Sequence, residues 1–116
     1  MNLKDIKNLM NEQKYEEALR LIDLAISNQN DNSFLWILRG NAIQLAESPS
    51  GPPLEEAERS YLQALSLNGR DLYAIESIAH FYDAVVPNAD KAKFYAQEYL
   101  DLTEKVRADM CSILKE

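Results

Sequence analysis

The chain is poor in the residues that bend, crosslink or ligate: its 116 residues include three glycines, four prolines, one cysteine and one histidine. With two of the prolines adjacent at Pro52-Pro53, too few turn-formers remain for a loop-rich β fold. One cysteine excludes an intrachain disulfide and fits a reducing compartment. No run approaches the ~20 apolar residues that a membrane span needs. The opening stretch, MNLKDIKNLMNEQK, carries charges throughout and has no apolar centre, so no signal peptide is expected and the cytoplasm is the expected location. Neither a Gly-rich phosphate loop nor a Cys/His metal pattern is present. His80 and Cys111 fall on different predicted helices, so no nucleophile, base and orienter come together. The chain reads as non-enzymatic, without cofactor or metal.

Cations are also short, 12 Lys and Arg against 19 Asp and Glu, for a formal net charge of −7. Residues 1–32 carry −2, 33–70 carry −1 and 71–116 carry −4. Such a surface repels phosphate backbones, so nucleic acid is not an expected partner. The rest of the composition, 47% hydrophobic and 27% charged, is that of a soluble globular protein, and the length suits one domain.

What the chain does have is helical periodicity. Trp36, Gly40 and Ile43 share one face, and so do Ala57, Tyr61, Ala64 and Leu65, mixing small and large residues as closely packed helices do. The pattern repeats. Ala18, Ala57 and Ala92 each follow a charged pair or near-pair, and each is followed four and then three residues later by packing residues: Ile22 and Ala25, Tyr61 and Ala64, Ala96 and Tyr99. Upstream, Ile6, Gly40 and Ala79 precede these alanines by 12, 17 and 13 residues, so the middle unit holds about five extra residues, placed at 48–53. Corrected for them, the period is about 34. Helices are predicted at 3–12, 15–28, 33–46, 54–67, 72–84 and from 89 onward as one long terminal helix. Asn30-Asp31-Asn32-Ser33, Asp71 and Asn88 supply N-caps, Pro52-Pro53 opens a helix and Asn68-Gly69 closes one.

In these residues the chain resembles the tetratricopeptide repeat family, whose unit runs W-x2-L-G-x2-Y, then A-x3-F, then proline. The middle unit carries Trp36, Gly40, Ala57, Tyr61 and Ala64 at matching positions, and departs at Arg39, Ile43 and Gly69. The third offers Ile75, Ile78, Ala79, Tyr82 and Ala92, with Ala96 and Tyr99 exchanging the expected large and small residues. The first departs in its first helix, at Ile6 and Leu9. The resemblance covers about residues 3–102 and implies an all-α, right-handed α-solenoid of three helix pairs, at about 3–30, 33–69 and 71–102. The middle pair bears the 48–53 insertion, and a C-terminal helix extends over 103–115. Trp36 is read as a packing residue whose loss costs ~3–5 kcal/mol.

The resemblance also implies a concave surface, lined by the first helix of each pair, that binds a peptide or helix of another protein in a scaffold or adaptor role. Its lining maps to Leu3, Lys7, Met10 and Asn11, then Phe34, Ile37, Asn41, Gln44 and Leu45, then Tyr73, Glu76, His80 and Asp83. For Phe34, Ile37 and Leu45, internal packing is the competing reading. Within that set, Lys7, Asn11, Asn41, Gln44, Tyr73, Glu76, His80 and Asp83 are the candidate recognition residues. One branch of the family clamps acidic chaperone tails with cations in its first and third pairs. Only Asn41 fits that pattern here, while Leu3, Lys7, Glu76 and His80 depart from it, so such a tail is not the expected ligand. Glu76, His80 and Asp83 share a helical face, but ligands from one helix fill only one side of a metal.

Two features have a double reading. Leu102, Val106, Met110 and Ile113 continue one face of the terminal helix, either as a cap over the end of the array or as a homodimer seam. The 48–53 insertion is either a tolerated loop or a contact of its own.

Overall fold

The computed structural model describes residues 3–46 and 51–115, so half of the insertion at 48–53, residues 48–50, lies outside the described residues. Among them the chain is all-helical, without a strand: α1 (Leu3–Asn11), α2 (Tyr15–Asn28), α3 (Ser33–Ala46), α4 (Leu54–Leu67), α5 (Leu72–His80) and α6 (Ala89–Lys115). A π-helical turn, Phe81–Val85, continues α5. The chain divides into two compact units, Met1–Gly69 and Arg70–Glu116.

In the first unit, α1 packs on α2, and α3 packs on both α2 and α4. The α1–α2 and α2–α3 connections are short and locally determined. Gln13 takes a left-handed φ of 62°, and the Lys14 N–H donates to Leu9 O at 2.9 Å, turning the chain straight from α1 into α2. Asn32 Oδ1 accepts from the Phe34 and Leu35 N–H groups at 3.0 and 3.3 Å, the cap that starts α3. Pro53 opens α4, and Glu55 and Glu56 in its first turn face the positive end of the helix dipole. α4 closes at Asn68, whose N–H donates to Ala64 O. No described glycine takes a positive φ, so Gly69 ends the helix without using glycine's conformational freedom.

The small and large residues interlock. Ala18, Ala57, Ala64 and Ile22 are wholly buried, and a Cβ placed on Gly40 would lie 2.6 Å from Tyr61 Cε1 and 2.7 Å from its Cζ. The α3 backbone thus touches a buried aromatic ring, an approach only glycine permits. Trp36 packs without being fully enclosed. It is half-buried, its indole N–H donating to Asn30 O at 2.9 Å, while Leu35, Ile37 and Leu38 on either side are buried. Aromatic size suggests the core, but an indole carries an N–H that needs a partner, and here a loop carbonyl at the surface supplies it.

Arg39 stands where the resembling family has leucine. Its guanidinium reaches Asp23 of α2 at 2.8 Å, Glu56 of α4 at 3.4 Å and Ser60 Oγ at 2.8 Å, with its side chain 15% exposed. Ser60 is fully buried, and its hydroxyl also donates to Glu56 O. One residue of α3 thus ties both neighbouring helices, in place of an aliphatic contact.

In the second unit, α5 and α6 pack as a helical hairpin. Asp71 caps α5, its Oδ1 accepting from the Tyr73 and Ala74 N–H groups at 3.0 and 3.3 Å, and Asn88 Oδ1 accepts from the Lys91 N–H at the start of α6. The expected single helix over 72–84 changes its winding at Phe81. The Val86 N–H donates to Phe81 O and the Asn88 N–H to Tyr82 O, spacings of five and six residues. This wider turn brings the adjacent Phe81 and Tyr82 both into the core. Tyr82 then stacks on Tyr95 of α6 at 6.1 Å, and Lys91 Nζ sits 5.2 Å from the Tyr82 ring centroid. α6 runs unbroken for 27 residues, and every residue from 104 to 115 is exposed.

Candidate functional site

On α1 and α3, the candidate residues divide between packing and display. Lys7 and Asn11 are exposed, and the Lys7 ammonium lies 5.3 Å from the Phe34 ring centroid, a cation–π contact that fixes one α1 cation over an α3 aromatic. Asn41 and Gln44 are half-buried. The Tyr61 phenol that packs beneath Gly40 donates to Asn41 Oδ1 at 2.6 Å, with Gln44 Oε1 beside it at 3.3 Å. Ile37 is wholly buried, which resolves its double reading in favour of packing. Phe34 is half-buried and Leu45 is 47% exposed. The cavity that includes Leu3, of about 320 Å³, also takes in Ile6, Leu24, Ala25 and Leu35. It lies between α1, α2 and α3 and contains none of Lys7, Asn11, Asn41 and Gln44.

The second unit gathers its candidates more closely. Tyr73, Glu76, His80 and Asp83 are all exposed, following one another at steps of three, four and three, while Ala74, Ile75, Ile78 and Phe81 form the buried side. His80 Nε2 lies 3.9 Å from Glu76 Oε1. Among the described residues no group of three or more His, Cys, Asp or Glu side chains could hold a metal ion.

Glu76 and His80 form the rim of a cavity of about 350 Å³ whose floor and far wall are Ala79, Ala96, Tyr99 and Leu100. A second hollow, of about 250 Å³, shares Ala79, His80 and Ala96 and runs on past Asp83, Ala92 and Lys93. Together they make a trough between α5 and α6 with a small-residue floor and a polar rim. Sequence reasoning named the α5 side of this trough and missed the α6 side. The signal was present: Ala92 and Ala96 sit one helical turn apart, where the first two units have an alanine followed by a large residue.

Leu102 is half-buried, whereas Val106, Met110 and Ile113 are all more than half exposed. Cys111 is a free, exposed thiol on the same segment. No helix among the described residues is long and apolar enough to cross a membrane. In comparisons with known proteins, no family model, no curated protein and no solved structure matches the chain.

Proposed function

We propose that the chain is a non-enzymatic protein-interaction module of the tetratricopeptide kind, its three helix pairs stacked as a right-handed solenoid and its first helices offering a docking face to a peptide or helix of a partner protein. The observation that carries this reading is the exposed ridge of Tyr73, Glu76 and His80 on α5 and Asp83 on the π-helical turn that continues it. An aromatic, two carboxylates and an imidazole project together from a helix whose opposite face is buried. The Gly40–Tyr61 interlock, made by residues at the small and aromatic positions of the repeat, supports the family reading. With two carboxylates on the ridge, the ligand chemistry that suits it is a basic or amide-rich segment, since an acidic one would meet like charge.

The test is fluorescence anisotropy with labelled basic, amide-rich and acidic peptides. Basic or amide-rich peptides bind the wild type, and the double change Glu76→Lys, Asp83→Lys abolishes that binding. Unchanged or tighter binding of basic peptides by the double variant would sink the proposal.

A second reading is favoured by the exposed Val106, Met110, Ile113 and Leu114 on α6: a homodimer formed through the terminal helix. Large apolar side chains grouped on one helix mark an association surface more often than they mark solvent.

A further inference from the structure

Two surfaces of the second unit are each unfinished, one concave and one convex. The concave one is the α5/α6 trough. Ala18 and Ala57, which hold the equivalent place in the first two helix pairs, are 0% exposed. Their counterpart Ala92 is only half-buried, and Ala96 is exposed. The third pair therefore has the small-residue floor on which a helix can rest, but no helix of its own unit rests there. The convex surface is the far half of α6, where Met110 is 52% and Leu114 86% exposed.

Helix geometry puts the two on one line. Eighteen residues make five full turns of 3.6, so Ala92 and Met110 point the same way, and so do Ala96 and Leu114. Along this line α6 carries Ala92 and Ala96 in its first half and Met110 and Leu114 in its second, with Thr103 at the midpoint and Tyr99 and Arg107 flanking it. We infer that the trough receives the C-terminal half of α6 from a second copy of the chain, the two α6 helices lying antiparallel about a two-fold axis at Thr103. Leu114 then sits on Ala92 of the other copy and Met110 on Ala96, and the symmetry repeats both contacts. A parallel pair would set Met110 against Met110 and alanine against alanine, crowding one end and leaving a void at the other. The inference rests on the homodimer reading and specifies its geometry.

Charge agrees with the arrangement. The net −7 lies wholly in residues 1–102, and residues 103–116 sum to zero, with three cations and three anions. The docking segment is therefore the part of the chain that two acidic copies bring together with least repulsion. The trough pairs Glu76 with Tyr99 and Leu100, and Asp83 with Ala92 and Lys93, so α5 runs antiparallel to α6 and parallel to the incoming helix. Arg107 arrives at the level of Glu76 and Lys115 at the level of Asp83. The two cations are eight residues apart, about 12 Å along the axis, and the two acids are seven apart, about 10 Å. Leu100, Val106, Met110, Ile113 and Leu114 are each more than half exposed, so pairing two copies along this line covers a continuous apolar stripe on both.

Sedimentation equilibrium and cysteine crosslinking of the full chain test this, with circular dichroism confirming that each variant stays helical. The wild type is a dimer, and Met110→Glu with Leu114→Glu weakens it about 100-fold or more. In a Cys111→Ser background, Thr103→Cys lies on the axis and forms a disulfide-linked dimer under mild oxidation. Met110→Cys alone does not, and the pair Ala96→Cys, Met110→Cys does. A wild type that stays monomeric at the highest soluble concentration overturns both the homodimer reading and this inference. A dimer that crosslinks through Met110→Cys and not through Thr103→Cys overturns the antiparallel arrangement and leaves the homodimer reading standing.

Discussion

Replacing Gly40 with alanine sets two known effects against each other. In an exposed helix interior, Gly→Ala raises stability by about 1 kcal/mol through helix propensity. At Gly40 the new methyl would meet three atoms of the Tyr61 ring at 2.6, 2.7 and 2.9 Å, all closer than carbon atoms approach without displacement. The ring cannot easily swing aside, being 1% exposed with its hydroxyl 2.6 Å from Asn41 Oδ1. Overpacking costs typically ~1–3 kcal/mol, and a ring confined on both sides belongs at the upper end. The net expectation is a loss of about 2 kcal/mol, read as a lower urea midpoint by far-UV circular dichroism. The same change in a Tyr61→Ala background has the opposite sign, because the methyl enters space the ring has vacated and the propensity gain survives. A double-mutant cycle should thus give a coupling of about 3 kcal/mol. If Gly40→Ala stabilises the wild-type background, the close approach of α3 to Tyr61 is wrong.

Three further outcomes follow from the same packing. Ile37→Ala should cost about 2–5 kcal/mol and Trp36→Ala clearly less, about 1–2, because the isoleucine is wholly buried and the indole is not; equal losses in denaturant titration would contradict that ordering. Arg39→Ala should cost about 1–3 kcal/mol by removing the partner of Ser60 and Glu56, and Arg39→Met should recover much of the loss, since an apolar side chain of similar volume can replace a partly buried ion pair; matched thermal melts decide it. Asp71→Ala should cost about 1 kcal/mol through loss of the α5 cap, and amide hydrogen exchange should quicken first at Tyr73 and Ala74.

The helices were legible because their signals are local. Apolar spacing, the caps at Asn32, Asp71 and Asn88, and the Pro53 start each act within one turn, so the sequence carries them without reference to the rest of the chain. Tyr61 was legible as a packing residue through the repeat pattern, which matches it with Gly40 although 21 residues separate them. What escaped depended on contacts that helical periodicity does not encode. Trp36 has the size of a core residue, and only the position of Asn30 O shows that it stops halfway. Arg39 looked like a lapse from an aliphatic position, and its meaning needs Asp23 and Ser60, 16 and 21 residues away. The α6 wall of the trough was overlooked because Ala96 and Tyr99 appeared as an exchange of large and small, when their effect is to leave a floor uncovered. Asn41 and Gln44 combine both problems: polar and on the expected face, yet set beside a buried phenol.

The π-helical turn at Phe81–Val85 bears on how this chain can change length. A turn of this kind holds one residue more than the α-helical turn it replaces. Losing a single residue there would let the segment rewind as ordinary α-helix with its hydrogen-bond ladder intact, whereas the same loss elsewhere in α5 would rotate every later side chain by about 100° with nothing to absorb it. The surplus residue also sets the angle at which Tyr82 meets Tyr95 and the level at which Asp83 stands beside Ala92. Insertion or deletion within these five residues is therefore a single-step way to re-aim the acidic ridge against α6 while the buried side, Ala74 to Ile78, stays in place.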